Sequence, residues 1–286
     1  MNDKMPALVI VTIGLFFSHF CKDSKMPEPP VPAKHAELLP ESSIQRLSRQ
    51  TVFFGHQSVG YNILDGIRDI ARDYPSLTLN ISETSDPASL RAPMLAHSRI
   101  GRNGQPLTKL DDFANLWRRR EQSTDVAFMK FCYVDFTDQT DVGDLVRRYA
   151  DTFAGLRQSS PGTTFIHVTA PLTAPRNVLM TAAKNVIKRL IGRPGANYRP
   201  NVKQAEFNDL LRRTYLGKEP VFDLAAIEST RADGTRVMSR ESGTAVYSLA
   251  PEYTFDGGHL NERGRRIVAF DLLRFLATLP EKAPKN

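Results

Sequence analysis

The apolar positions change period repeatedly between residues 51 and 276, and each change marks an element. Thr51-Val-Phe-Phe54 is a short β-rich run ending at Gly55, and Ile63 to Ile70 then repeats at helical spacing. Leu77-Thr-Leu-Asn-Ile81 alternates as a strand, Leu110–Arg119 reads as a helix, and Val126–Phe131 is strand-like again. A helix is predicted from Val142 to Leu156, a strand over Thr164–Val168 and a long, largely helical region over residues 176–216. Pro220–Leu224 reads as the fifth strand and Glu262–Leu276 as a closing amphipathic helix. Five strands separated by helices predict an α/β fold, a three-layer α/β/α sandwich around a mainly parallel sheet. In such sheets ligands sit at the carboxyl ends of the strands. No internal repeat and no second domain boundary is visible, so one domain is expected over residues 46–280.

The chain ahead of that domain follows no such pattern. Met5 to Phe17 is uncharged and mostly apolar, and Ser18-His19-Phe20-Cys21 follows. A bilayer crossing needs roughly 20 apolar residues, whereas a run of this length suits the apolar core of a signal peptide. Residues 1–21 are therefore expected to be a signal peptide or lipoprotein signal. A Cys directly after such a run resembles the acceptor cysteine of a bacterial lipoprotein, although Phe20 stands where that motif has a small residue. Cleavage elsewhere, an uncleaved anchor and a buried structural segment are the alternatives. Pro27, Pro29, Pro30, Pro32 and Pro40 then lie among charges, a density that disfavours helix and sheet, so residues 22–45 read as an extended tether. Together these segments predict export to the bacterial cell envelope, either as a membrane-anchored lipoprotein or in the periplasm.

Composition changes this picture little. With 286 residues, 41% hydrophobic and 24% charged, the chain is an ordinary globular one, and two cysteines exclude a disulfide scaffold. Cys132 lies in an apolar run and reads as a buried thiol. The net charge of +7 brings nucleic acid to mind, but its distribution argues against that partner. Residues 176–218 hold ten Lys or Arg and two acids, which is +8, about the whole excess of the chain. That stretch is either a basic rim for an anionic glycan or lipid surface, or helices with solvated faces.

Candidate chemistry lies at the strand ends. Phe53-Phe54-Gly55-His56-Gln57-Ser58-Val59-Gly60 follows the first strand. A serine at a strand-to-helix turn can expose its hydroxyl where the next helix directs its N–H groups, which suits a nucleophile; equally, Ser58 can simply cap that helix. Near the C-terminus stands Tyr253-Thr-Phe-Asp256-Gly257-Gly258-His259-Leu260-Asn261-Glu262-Arg263-Gly264. On such a turn Asp256 can hold one imidazole nitrogen of His259 while the other faces a serine, which is how a hydroxyl is activated. The alternative for His259 is a loop residue capping the last helix.

Asp-x-x-His-Leu-Asn before a terminal helix, with a serine after the first strand, resembles the SGNH (GDSL-type) hydrolases over about residues 48–278. The order Ser, Asp, His also occurs in α/β-hydrolases, but those place the serine mid-chain and separate the acid from the histidine. The resemblance implies a flavodoxin-like sheet, Ser58 as nucleophile, His259 as base, Asp256 as its orienting acid, and no metal or organic cofactor. It also implies an oxyanion hole made by the serine N–H, a glycine N–H and an asparagine side chain. Two blocks depart from that pattern. Gly55-His56-Gln57-Ser58 has an extra residue, and Lys130-Phe-Cys132-Tyr133-Val-Asp135 stands where the family has Gly-x-Asn-Asp. The missing role passes to Asn103 or the Tyr133 hydroxyl, and the glycine to Gly101 or Gly104. Lys130, in an apolar strand, is expected to pair with Asp135 or Asp138. His56 is a substrate contact or a structural residue, and His97 and His167 are structural or surface residues, without metal-ligand spacing.

The implied function is a serine ester hydrolase acting on a small acyl ester, such as an acetylated envelope carbohydrate. The alternatives are an O-acyltransferase with the same three residues, or an envelope protein whose site has decayed to glycan or partner binding. The partners expected are a small-molecule or carbohydrate ester and, through the N-terminal anchor, a membrane. Mass spectrometry of the membrane fraction tests the anchor: a lipidated Cys21 at the mature N-terminus is expected, and an unmodified terminus beyond residue 21 refutes it.

Overall fold

The computed structural model describes residues 39–86, 90–117, 124–175, 201–241 and 243–280. The expected signal segment, Cys21 and most of the expected tether therefore lie outside the described residues, as do residues 176–200 of the basic stretch. Six parallel strands form the central sheet: β1 (Thr51–His56), β2 (Asn80–Glu83), β3 (Met94–Arg99), β4 (Val126–Met129), β5 (Thr164–Val168) and β6 (Val221–Phe222), in the order β2-β3-β1-β4-β5-β6. Among the described residues seven helices accompany them: α1 (Glu41–Leu47), α2 (Val59–Asp73), α3 (Pro106–Trp117), α4 (Val142–Ser159), α5 (Val202–Tyr215), α6 (Leu224–Ser229) and α7 (Glu262–Thr278). A two-stranded antiparallel hairpin, β7 (Met238–Glu241) and β8 (Thr244–Tyr247), stands apart from the sheet.

The expectation of an α/β sandwich with a mainly parallel sheet holds, but the count of five strands is corrected to six. The added strand is β3, which pairs with β1 along its whole length. Its sequence, Met-Leu-Ala-His-Ser-Arg, carries too many polar residues to stand out as apolar. His97 in it is nevertheless buried, because it packs beside the buried His56 of β1. The tether boundary also moves. Residues 41–47 are helix α1, and Leu39, Ile44 and Leu47 are buried in the main core, so the folded region starts before residue 46.

Each central strand is buried on both faces and sends alternate side chains to two separate cores. Val52 and Phe54 of β1 join the core under α1, α2, α6 and α7, while Phe53 joins the one under α3, α4 and α5. Among the described residues, no helix is long and apolar enough to cross a membrane.

Helices α2 and α7 approach each other closely. A Cβ on Gly66 of α2 would lie 2.2 Å from the Arg265 carbonyl oxygen and 2.8 Å from the Ala269 Cβ of α7. Arg265 Nε also donates to Asp69 Oδ2 at 2.6 Å, and Arg266 pairs with Asp73. Gly66→Ala therefore sets two effects against each other. Helix propensity favours alanine by about 1 kcal/mol, but a backbone carbonyl cannot rotate away, and overpacking costs about 1–3 kcal/mol. Thermal melts should show Gly66→Ala less stable than the wild type; an equal or higher melting temperature would show that the two helices are free to separate.

Candidate active site

The chain leaves β1 through Gln57 and enters α2 at Val59, so Ser58 occupies the turn at the carboxyl edge of the sheet. Its backbone has φ 52° and ψ −111°, a conformation that side-chain-bearing residues rarely adopt. Holding it costs on the order of 1–3 kcal/mol, so the surroundings must impose it. They do so through Gln57. Its side-chain amide donates to Ile100 O at 2.8 Å and to Gly101 O, and its carbonyl accepts from Gly60 N at 3.1 Å. Ser58 does not cap α2 through its side chain. Its Oγ instead lies 2.6 Å from His259 Nε2.

His259 sits on the turn before α7, and its conformation is dictated by Asp256. Asp256 Oδ1 accepts from the Gly258 and His259 backbone N–H groups at 2.9 and 2.7 Å, and Oδ2 lies 2.7 Å from His259 Nδ1. Thr254 Oγ1 donates to His259 O at 2.6 Å and accepts from Gly257 N, closing the turn. Asn62 of α2 accepts from Leu260 N at 3.2 Å and ties the two loops together. Partial burial works against the charge of Asp256, but the N–H groups of His259 and Gly258 and the His259 ring outweigh it and hold the carboxyl below its usual range. The three residues expected to act together thus form one hydrogen-bonded chain, Asp256–His259–Ser58. With Asp256 ionised, Nδ1 is the protonated nitrogen and Nε2 is left to accept from the Ser58 hydroxyl. Asn261, also in this block, is structural: it caps α7 by accepting from Gly264 N at 3.0 Å.

The predicted oxyanion donors fare differently. Gly101 N already donates to Asp112 Oδ2 at 2.7 Å, and Gly104 N to Asp135 Oδ1 at 2.8 Å, so neither glycine offers an unpaired donor. Asn103 is exposed, with its Oδ1 accepting from Lys109 Nζ at 3.0 Å, which leaves its Nδ2 amide group as the donating end. Tyr133 does border the site: its ring meets the His259 ring edge-on, with centroids 5.8 Å apart. Phe255, 71% exposed, lies against the imidazole from another side with its ring only 15° from parallel.

The expected pairing of Lys130 with Asp135 or Asp138 is corrected. Asp135 is buried but bonds to Lys109 Nζ and to Cys132 N, and Lys109 is a buried residue of α3 that no sequence pattern marked. Lys130 Nζ instead donates to Gln57 O at 2.8 Å, one residue before the nucleophile position. His56 is buried rather than exposed to substrate; burial and the neighbouring Lys130 push its pKa down to about 2, so it is neutral. His97 is buried beside it, and burial lowers its pKa too. His167 is buried between the Tyr149 hydroxyl and Glu219, each 3.0 Å away, with burial lowering its pKa to about 4. Among the described residues no cluster of His, Cys, Asp and Glu could hold a metal ion. Of the described basic residues after 200, Arg212 faces inward and binds Asp223 with two nitrogens, at 2.7 and 2.8 Å.

No protein-family model matches this chain, and no curated protein matches it. Solved structures do. A protein assigned as a platelet activating factor from Streptococcus pneumonia matches at 14% identity, with 82% of this chain and 91% of that one covered and a TM-score of 0.49. The periplasmic domain of the lipopolysaccharide acetyltransferase of Salmonella ser. Paratyphi A matches at 12% identity, covering 79% and 83%, TM-score 0.43. A protein assigned to the G-D-S-L lipolytic family from Desulfitobacterium hafniense matches at 9% identity, covering 79% and 99%, TM-score 0.43. Likeness this distant carries no argument about family or chemistry.

Gly258 allows the close seating of Tyr133: a Cβ there would lie 2.7 Å from Tyr133 Cζ and 2.8 Å from its hydroxyl oxygen. Gly258→Ala should cost about 1–3 kcal/mol of stability. Adding Tyr133→Ala to the same chain should return part of that loss, as expected for residues in contact. Additive melting shifts in the double variant would contradict the contact.

Proposed function

We propose that this protein is a serine esterase that works through Ser58, His259 and Asp256. The observation that carries this reading is the continuous hydrogen-bonded chain from Asp256 to the Ser58 hydroxyl, with Ser58 held in a rare backbone conformation at the carboxyl edge of a parallel sheet. The same three residues in surface loops, merely capping helices, would have no reason to meet.

The reaction follows from that order. His259 Nε2 takes the proton as Ser58 Oγ attacks the acyl carbon, and Asp256 stabilises the imidazolium that forms. The proton then goes to the departing alcohol oxygen, leaving the acyl group on Ser58. A water molecule, deprotonated by the same Nε2, releases the acid and restores the serine. A second hydroxyl in place of water would make the protein an O-acyltransferase. The openness of the site favours a substrate whose alcohol part is large and hydrophilic. The Asp256 and His259 side chains are 41% and 32% exposed, and the Phe255 ring offers an apolar face beside them. A small acyl group on an envelope carbohydrate fits this setting and the export expected from residues 1–40. Loss of catalysis with retained binding is the second reading, favoured by the two glycine N–H groups already engaged elsewhere.

Fluorophosphonate labelling and turnover of p-nitrophenyl acetate separate these readings. The wild type should label and turn over, and Ser58→Ala should abolish both. Asp256→Asn should lower kcat by about 10⁴-fold, because the imidazole then adopts the wrong tautomer. Absence of any Ser58-dependent labelling in the wild type would leave only the binding reading.

A further inference from the structure

A buried lysine behind the nucleophile turn has no role in the scheme above. Lys130 is 1% exposed, and among the described residues no carboxylate pairs with it. The adjacent buried acid, Glu228, is pushed up to about 8 by burial and is neutral at pH 7. Lys130 Nζ makes its contacts with two carbonyls and a cysteine sulfur: Gln57 O at 2.8 Å, Phe131 O at 3.3 Å and Cys132 Sγ at 3.5 Å. A lysine placed so is costly, and a methionine of similar length would suit the packing better.

The carbonyl that Lys130 holds belongs to the Gln57–Ser58 peptide. That peptide is trans, so its N–H points opposite to the carbonyl, away from Lys130 Nζ. Ser58 N donates to no acceptor among the described residues, whereas Gly101 N and Gly104 N are both engaged. A donor on the carbonyl oxygen withdraws electron density through the amide and strengthens the N–H on its far side. We propose that Lys130 is a positioning residue: seated on the Gln57 carbonyl, it fixes and polarises the Gln57–Ser58 peptide so that the Ser58 N–H takes the negative charge developing on the acyl oxygen. The proposal rests on the serine-esterase reading. It assigns to a buried side chain part of what the absent asparagine and the engaged glycines do not supply.

Lys130→Met and Lys130→Gln, compared with the wild type and Ser58→Ala, test it. If Lys130 only fills space, Met is the better substitute and Gln the worse. If it acts on the peptide, kcat for p-nitrophenyl acetate falls in the order Lys, Gln, Met. The loss in the Met variant should be about 100-fold, the size seen when one oxyanion donor is removed. KM should stay within about threefold, since the N–H gains its charge partner only in the transition state. The melting temperature of Lys130→Met should equal or exceed that of the wild type. A second measurement stands apart from catalysis. Labelling Gln carbonyls with ¹³C and Ser amides with ¹⁵N reports only the peptides Gln57–Ser58, Gln122–Ser123 and Gln158–Ser159. In Lys130→Met one of these amide protons should move upfield, and Ser58→Ala identifies it by removing it. A Met variant with kcat within threefold of the wild type, or with no amide shift, overturns the proposal. A wild type without Ser58-dependent turnover ends the esterase reading, and the amide shift then still decides whether Lys130 polarises the peptide.

Discussion

The close contact between α2 and α7 is the constraint on which the site depends. Ser58 precedes the first residue of α2 and His259 lies three residues before α7, so the distance between them is set by how those helices pack. The absence of a side chain at Gly66 lets the two backbones approach, and burial of both inner faces in one core keeps them there. Ion pairs such as Arg265–Asp69 add modestly, because partly exposed pairs are worth about 1 kcal/mol or less. The Asn62–Leu260 hydrogen bond transmits that helix spacing to the loop itself. A hydroxyl and an imidazole nitrogen 201 residues apart in the chain thus meet at 2.6 Å.

Two buried lysines show how the same residue type serves different ends. Lys109 is neutralised by Asp135, and that pair also gathers Asn103, Gly104 and Cys132, locking the loop after β3 to the turn after β4. Lys130 has only carbonyls and a thiol, and burial lowers its pKa. One lysine is held in an ion pair at the loop after β3, whereas the other is set on the Gln57 and Phe131 carbonyls. The Gly101 and Gly104 N–H groups are likewise spent on holding loops, on Asp112 and Asp135.

The strained serine, the open imidazole and the exposed Phe255 lie at one edge of a sheet that is otherwise sealed by two cores. Loops at the carboxyl ends of β1, β3 and β4 meet there because the chain order reverses beside β1. Rigid packing below and open geometry above are what the proposed three-residue site would require.

Periodicity alone determined the alternation of strands and helices, and local spacing determined that Asp256 could orient His259, because both are short-range consequences of side-chain order. The Asp-x-x-His turn was legible since its hydrogen bonds span three residues. Strand β3 was not, because His97 is hidden by a neighbour, His56, that no local pattern reveals. The partners of Lys130 and Asp135 differ from expectation for the same reason: sequence proximity favours joining them, while the fold sets Lys109 of α3 on the carboxylate. Ser58 as nucleophile or as helix cap was undecidable locally, since both readings need the same turn. Only the tertiary structure, by setting α7 against α2, turned its hydroxyl toward an imidazole.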